Sequence, residues 1–578
     1  SAASAAKIKA GRPTSQRLDG QCPASGQCHA NQEDSQLNPD QSDLDFLREL
    51  DDDQRVAAEA LLGPVCIIAG AGSGKTRTIS HRIAHGIDTG VYTANRVLAL
   101  TYTNRAASEL RSRMRDLGAP SVQVRTFHSA ALSQLQFFWP QLTETLAPKL
   151  ITNKIPVLKD ALEALKLRVS DEDVRALASE IEWIKYGLIS LSDYPNLDRP
   201  SIASFSKEKF LEVAAKFESV KQQRRLADWE DVLLLTTGLL RNEARMLAHV
   251  QQQYRHFTVD EYQDISPLQQ SLLETWLGDR EELCVVGDPR QTIYTFAGAD
   301  PSFLTGFVSR FPSAQVVELN RNYRSSPEIV QLANRVAEHG ELEAVRAFSS
   351  KPTLQKFSSA LAEAKWMAET ISLAIQDGME MGEIAVLARI NSQLELVESE
   401  LTKRGIKCQV RGTGRFFRRP EIMQAMIALR ALQTNEMTEP LFVAVSKIIS
   451  ALGWSSRSDG SEKWLGLNWF IEVLEEFSGD VGLEEYLREL QERERSGHEP
   501  VMAAISLATI HATKGLEWKL VFLCGLNQGY FPISYADTPA ELSEERRLFY
   551  VGVTRAKDRL YLSSHSDKPA SEFLSFVS

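Results

Sequence analysis

No stretch of about 18 consecutive apolar residues occurs in this 578-residue chain, so no bilayer-spanning helix is expected. The N-terminus also lacks a basic region leading into an apolar core and a small-residue cleavage site, and no secretory signal is read there. Cysteine is scarce: Cys22, Cys28, Cys66, Cys284, Cys408 and Cys524 are too dispersed for a disulfide framework. Cys22, Cys28 and His29 lack the pair spacing and fourth ligand of a zinc site. Together these absences lead us to expect a cytoplasmic protein in reduced surroundings. Positive charge is not in excess either. The net charge of −11 argues against indiscriminate adhesion to polyanions and leaves nucleic-acid binding to a local groove.

What is present is length and alternation. A chain of this size with 43% hydrophobic residues holds roughly three to five structural units. Residues 1–42 are Ser-, Ala-, Gly-, Gln- and Asp-rich with hardly an aliphatic residue, and are expected to form a disordered arm. Short apolar runs then recur at Val65–Ala69, Arg96–Thr101, Phe257–Val259, Leu283–Val286, Gln315–Leu319, Ile384–Ala388, Ile505–Thr509 and Leu520–Cys524. Several are followed by helical text, which predicts an α/β fold with parallel sheets. Strand signals vanish over 131–227, where Asp171–Trp183 and Lys207–Lys221 carry helical periodicity. A helical insertion is expected there, between first-domain segments 43–130 and 228–300. The second sheet domain is expected at 301–435 and 501–578, interrupted by a small helical insertion at 436–500.

Directly after the first run stands Ala69-Gly70-Ala71-Gly72-Ser73-Gly74-Lys75-Thr76, and directly before helical text. Successive backbone N–H groups of such a loop wrap phosphates; Lys75 reaches the β/γ oxygens and Thr76 ligates Mg²⁺. The usual first glycine is Ala69 here, while Gly72 and Gly74 keep flexibility next to Lys75. A glycine-rich turn beside a surface lysine is the bland alternative, and the flanking strand and helix argue against it. A partner carboxylate is needed, and His256–Val259 ends in Asp260-Glu261. Asp260 is assigned to the metal shell and Glu261 to the general base acting on water. The third run ends in Gly287-Asp288-Pro289-Arg290-Gln291, where Gln291 can sense the γ-phosphate or its attacking water. Tyr294 and Phe296 offer flat faces to bases next door.

In this order the segments resemble the UvrD/Rep group of superfamily one DNA helicases, from about Leu50 to Ala556. Leu50-Asp51-Asp52-Asp53-Gln54 is similar to the family's adenine-reading segment, with Gln54 on the base edge. Thr101–Ala107 and Thr126-Phe127-His128-Ser129 resemble its DNA-contact motifs, and Asp228-Trp229-Glu230-Asp231 resembles a family landmark. Leu319–Ser325 resembles the segment whose tyrosine stacks on adenine and whose arginine meets the γ-phosphate; those roles fall to Tyr323 and Arg324, with Arg77 as the opposite face. Thr509–Trp518 resembles the motif that holds the DNA backbone through Thr509, His511 and Lys514 and the ATP ribose through Glu517. Arg555, in Glu545–Lys557, is the arginine-finger candidate.

The resemblance implies two RecA-like motor domains sharing one ATP site, in which Ala71, Gly72, Ser73, Gly74, Lys75 and Thr76 cradle the phosphates. Tyr102, Phe127, Tyr294 and Phe296 become stacking candidates, since stacking grips bases without reading them; Asn104 and His128 join them as DNA contacts. It further implies ATP with Mg²⁺, single-stranded DNA and 3′-tailed duplex as partners, 3′→5′ movement, a role in DNA repair or replication, and a monomer or weak dimer. The insertion at 436–500 is shorter than in the best-known members, and the chain ends soon after Arg555, so a translocase that strips proteins but unwinds poorly alone is a second reading. A nucleotide-switched DNA-binding scaffold is the third, opposed by Glu261, Gln291, Arg324 and Arg555.

Overall fold

Apolar runs bounded by glycines and acids become parallel strands because each is covered by helices on both faces. In the computed structural model of the protein, residues 46–577 are described, apart from 144, 198, 200–201, 203–204, 413–415, 433–438, 459–460, 478–480 and 497–503. The expected arm at 1–42, with Cys22, Cys28 and His29, lies outside the described residues.

The strands in chain order are β1 (Val65–Ala69), β2 (Val97–Thr101), β3 (Gln123–Thr126), the two-residue β4 (Lys149–Leu150) and β5 (Leu226–Ala227), β6 (His256–Val259), β7 (Leu283–Gly287) and β8 (Gln315–Leu319). Six of them form one parallel sheet in the order β3-β2-β6-β7-β1-β8, while β4 pairs with β5 separately. There follow the short pair β9 (Arg321–Asn322) and β10 (Glu343–Ala344), then β11 (Thr353–Phe357), β12 (Ile384–Ala388), β13 (Cys408–Val410), β14 (Ile505–Thr509), β15 (Trp518–Leu523) and β16 (Ala556–His565). The last six make a second parallel sheet, ordered β11-β16-β15-β12-β14-β13. The molecule is thus α/β with two parallel-sheet lobes. The C-terminal ends of β6, β7 and β1 lie side by side in the first sheet, which brings three chemically loaded loops to one edge.

Several expected limits differ from the structure. Gln315–Leu319, expected in the second domain from residue 301, pairs with β1 along its length, from Val65 opposite Gln315 to Ala69 opposite Leu319. Its alternate residues Val317 and Leu319 are buried in the first sheet's core, so this lobe runs to Leu319. Helix Phe127–Thr143 also belongs to the first lobe: Phe127, Ala131, Leu135 and Phe138 share a core with Leu98, Leu100 and Trp276. The inserted helices have their own core, from Val157 to Val220. The small insertion likewise begins earlier than 436, because helix Pro420–Ala431 buries Ile422, Met426 and Leu429 against Val445, Phe470 and Leu487. Four sheet strands were not foreseen, namely β3, β11, β13 and β16. Among the described residues, no helix is long and apolar enough to cross a membrane.

Candidate active site and strand-contact surface

β1 feeds the glycine loop into helix Lys75–Asp88, whose N-cap, Gly74, is left-handed and carries no side-chain cap. The first-turn N–H groups of a helix have no intrahelical acceptor, so this end is suited to hold an anion. Gly72 also has positive φ, and a Cβ there would lie 2.7 Å from Arg324 Cβ and 2.8 Å from Asn322 Nδ2. That crowding exists because the second lobe's leading segment rests on the loop. Asn322 Nδ2 donates to Ala71 O at 2.6 Å, and the Tyr323 N–H donates to Gly72 O at 2.9 Å.

A cavity of about 640 Å³ opens between the lobes. Ala71 through Arg77, Gln54, Asp260, Glu261 and Gln291 line one wall, and Tyr323, Arg324, Lys514, Glu517 and Arg555 the other. Gln54, held in a capping box with Asp51, donates Nε2 to Ser73 O at 2.9 Å. Tyr323 and Arg77 both line this cavity; the tyrosine hydroxyl donates to Asp51 Oδ2 and the guanidinium to Glu49 O. Lys75 Nζ is buried with no hydrogen-bond partner and lies 3.4 Å from Glu261 Oε1. A buried ammonium that short of hydrogen-bond acceptors suits a cavity that receives anionic oxygens.

Thr76 and Asp260 bring a hydroxyl and a carboxyl to the same cavity, an oxygen set that suits a hard divalent cation. Burial, and then the neighbouring Glu261, pushes the Asp260 carboxyl up to about 7. Glu261 behaves oppositely. Burial would raise it, but Lys75 and Lys514 outweigh that and hold it well below the usual carboxylate range, so it is an anion able to accept a proton. Its backbone is left-handed (φ 53°), a placement that costs a non-glycine residue about 1–2 kcal/mol and aims the side chain into the cleft.

Three cations arrive from the second lobe. Arg555 is 2% exposed; its Nη1 donates to Leu516 O and its Nη2 reaches Gln291 Oε1 at 3.3 Å. Burial, then repulsion from Arg324, lowers it to about 9, still cationic at neutral pH. Arg324 is ion-paired with Glu517, whose carboxylate also meets Lys557 at 2.7 Å. Burial opposes ionisation of Glu517, but Arg324 and Lys557 hold it down to about 2, so this expected ribose contact is an engaged anion here. The third is Lys514. Expected on DNA phosphates, its side chain is 7% exposed and bridges Glu261, Asp264 and Gln291 O inside the cleft, because the 3₁₀ turn Ile510–Thr513 directs it across the lobe boundary.

Two further DNA assignments are corrected. Phe127 is 2% exposed and stacked on Trp276, so its ring is core and not a platform. His128 is buried edge-on against Trp229, with Nε2 within 3.1 Å of the Tyr186 hydroxyl. The other candidates gather: Tyr102 stacks on Tyr294 at 5.3 Å, and Tyr294 donates its hydroxyl to His511 O. The His511 ring meets Phe296 edge-on, and Phe296 is 62% exposed. Burial, and then Arg389, lowers His511 to about 3, so its imidazole is neutral. Thr509 ends β14 beside it, and Asn104, in the first turn of the helix capped by Thr103, keeps a buried Nδ2 without a hydrogen-bond partner. The Asp228 landmark caps helix Trp229–Asn242 and is neutralised by Lys185 and Lys221. Asn322, which donates to Ala71 O, and Asp288, which accepts from Gln291 Nε2 at 2.8 Å, were not singled out from sequence; each is a polar residue inside a recognised motif, and that was the available signal.

Residues 50–312 match the UvrD/REP helicase N-terminal domain, and residues 317–456 and 439–567 match the UvrD-like helicase C-terminal domain. Over 555 residues the chain is 41% identical to the ATP-dependent DNA helicase UvrD2 of Mycobacterium tuberculosis, covering 89% of this chain and 78% of that protein. It is 28% identical over 619 residues to the ATP-dependent DNA helicase PcrA of Leuconostoc citreum, covering 88% and 81%. Against PcrA of Bacillus subtilis the figures are 26% over 613 residues, covering 88% and 82%.

Proposed function

Since the chain belongs to the UvrD/Rep helicase family, we propose that it is an ATP-driven DNA helicase that moves 3′→5′ along single-stranded DNA. The observation that carries this reading is the split site: Lys75, Glu261 and Gln291 stand on one lobe and Arg324 and Arg555 on the other, around one cavity. In hydrolysis, Lys75 and the loop N–H groups hold the β/γ-phosphates, and Glu261 accepts the proton of the attacking water. Arg324 and Arg555 offset charge on the transferring phosphoryl, a contribution of about 10³–10⁵ in rate for an arginine supplied this way. Thr76 and Asp260 would hold Mg²⁺, which would supply positive charge to neutralise the phosphates. Because the arginines must cross the cleft, chemistry requires closure, and loss of phosphate releases it.

Tyr102, Tyr294 and Phe296 adjoin His511 and Thr509 at the lobe boundary, so opening and closing shifts a strand gripped by stacking and backbone contacts. The substrates are single-stranded DNA and 3′-tailed duplex, met by a monomer or weak dimer acting in DNA repair or replication in the cytoplasm. ATPase turnover with and without oligo-dT, followed by unwinding of 3′-tailed against 5′-tailed duplexes, tests this; DNA-independent turnover discards the motor, and preference for the 5′ tail reverses the polarity. A second reading, in which the motor displaces bound proteins better than it unwinds, is tested by streptavidin displacement beside duplex unwinding.

A further inference from the structure

Between the general base and the Gln291 loop lies a side chain with no part in the mechanism above. Gln263 is 0% exposed, two residues beyond Glu261 in the 3₁₀ turn Tyr262–Asp264. Its Nε2 donates to Glu261 Oε2 at 2.5 Å and to Asp264 Oδ2 at 3.2 Å, and its Oε1 accepts from the Asp288 N–H at 3.1 Å. Two carboxylates on one side and an N–H on the other admit a single amide orientation. The space is built for it: a Cβ on Gly287 would lie 2.6 Å from Gln263 Oε1. Asp288 in turn accepts from Gln291 Nε2 at 2.8 Å and from Arg290 Nε at 2.8 Å. One amide therefore ties the base to the loop that carries the residue touched by Arg555.

We propose that Gln263 is a positioning residue, an amide clamp that fixes the Glu261 carboxylate relative to the Gln291 loop so that arrival of Arg555 and orientation of the base occur together. The inference rests on the assignment of Glu261 as general base. A clamp is needed because Glu261 sits on a left-handed backbone, and its other oxygen meets Lys75 only by charge at 3.4 Å, without a directional hydrogen bond. Without Gln263 the carboxylate can swing toward Lys514, 3.4 Å from Oε2, and away from the attacking water. Misplacement of a reacting group by about 1 Å costs on the order of 10²-fold in rate.

The test compares Gln263→Ala and the volume-matched Gln263→Met with the parent in oligo-dT-stimulated ATPase. The expected result is kcat lower by about 10²-fold with the KM for ATP within about threefold. In a Glu261→Gln background, single-turnover ATP hydrolysis should lose less than about twofold more on adding Gln263→Met, since a clamp has nothing left to position. Gly287→Ala, which displaces the amide while leaving it in the chain, should reproduce the kcat loss. Unchanged kcat in the Gln263 variants, a loss carried mainly by KM, or a full additive loss in the Glu261→Gln background overturns the proposal. Glu261→Gln itself retaining parental turnover would instead sink the base assignment.

Discussion

The guanidinium of Arg555 and the amide of Gln291 meet across the cleft, Nη2 to Oε1 at 3.3 Å, although 264 positions separate them in sequence. Each is anchored in its own lobe, Gln291 through Asp288 and Arg555 through Leu516 O and Val551 O, so their contact is a direct report of lobe apposition.

Arg555→Ala is expected to lower oligo-dT-stimulated kcat by about 10³-fold while nucleotide Kd changes by less than about tenfold, because the charge it offsets develops only during transfer. Steady-state turnover and a fluorescent-nucleotide titration measure the two; an equal loss in both would assign it to ground-state binding.

Lys75→Ala should abolish hydrolysis and leave oligo-dT affinity within a few-fold, since its ammonium lines the nucleotide cavity beside Glu261. Glu261→Gln should keep ATP binding and slow hydrolysis to a residual single-turnover rate that leaves ATP trapped for long periods, read by filter retention of labelled ATP over time.

Gly72→Ala should disable turnover without unfolding the chain. Its methyl meets Arg324 Cβ and Asn322 Nδ2 inside 3.0 Å and strains a positive φ, forcing the second lobe's segment off the phosphate loop. Thermal melting within a few degrees of the parent, alongside lost ATPase, is the expected pair of readings; normal ATPase argues against that close approach.

Phe296 and Phe127 should separate binding from stability. Phe296→Ala is expected to weaken oligo-dT binding by about 1–3 kcal/mol with stability unchanged. Phe127→Ala should cost about 3–5 kcal/mol of stability through the cavity left beside Trp276. Fluorescence anisotropy and denaturant titration provide the two axes.

Acid should weaken the fold through His256. Burial, partly offset by Glu282, lowers this imidazole from 6.5 to about 4, and its Nδ1 has no hydrogen-bond partner. The unfolded chain binds a proton that the folded chain refuses, so this contribution is intact above pH 6.5 and is lost as the pH falls toward 4, by at most about 3 kcal/mol. His256→Gln should flatten the stability profile over that window, as followed by denaturation midpoints at stepped pH.

The phosphate loop, the acidic strand end and the Gln291 loop were legible because each is a contiguous run in which a strand ends and its chemistry begins. The same reading failed where side-chain direction mattered. Phe127 stands in register with Ala131, Leu135 and Phe138, a helical stripe of core residues, and that periodicity outweighs the motif that made its ring look like a platform. The contact of Lys514 with Asp264 was not legible because the two lie 250 positions apart and no local pattern encodes it. β11 reads Thr-Leu-Gln-Lys-Phe at a sheet edge and β16 opens on charged residues, so neither shows the unbroken apolar run of a central parallel strand.

β8 ends at Leu319 against the phosphate loop, while Ser325 Oγ already donates to Ala556 O in the other lobe. Only five residues span the two, and they include Asn322, Tyr323 and Arg324. The covalent tether between the lobes therefore passes beside the phosphate loop, so any relative movement of the lobes bears first on the walls of that site.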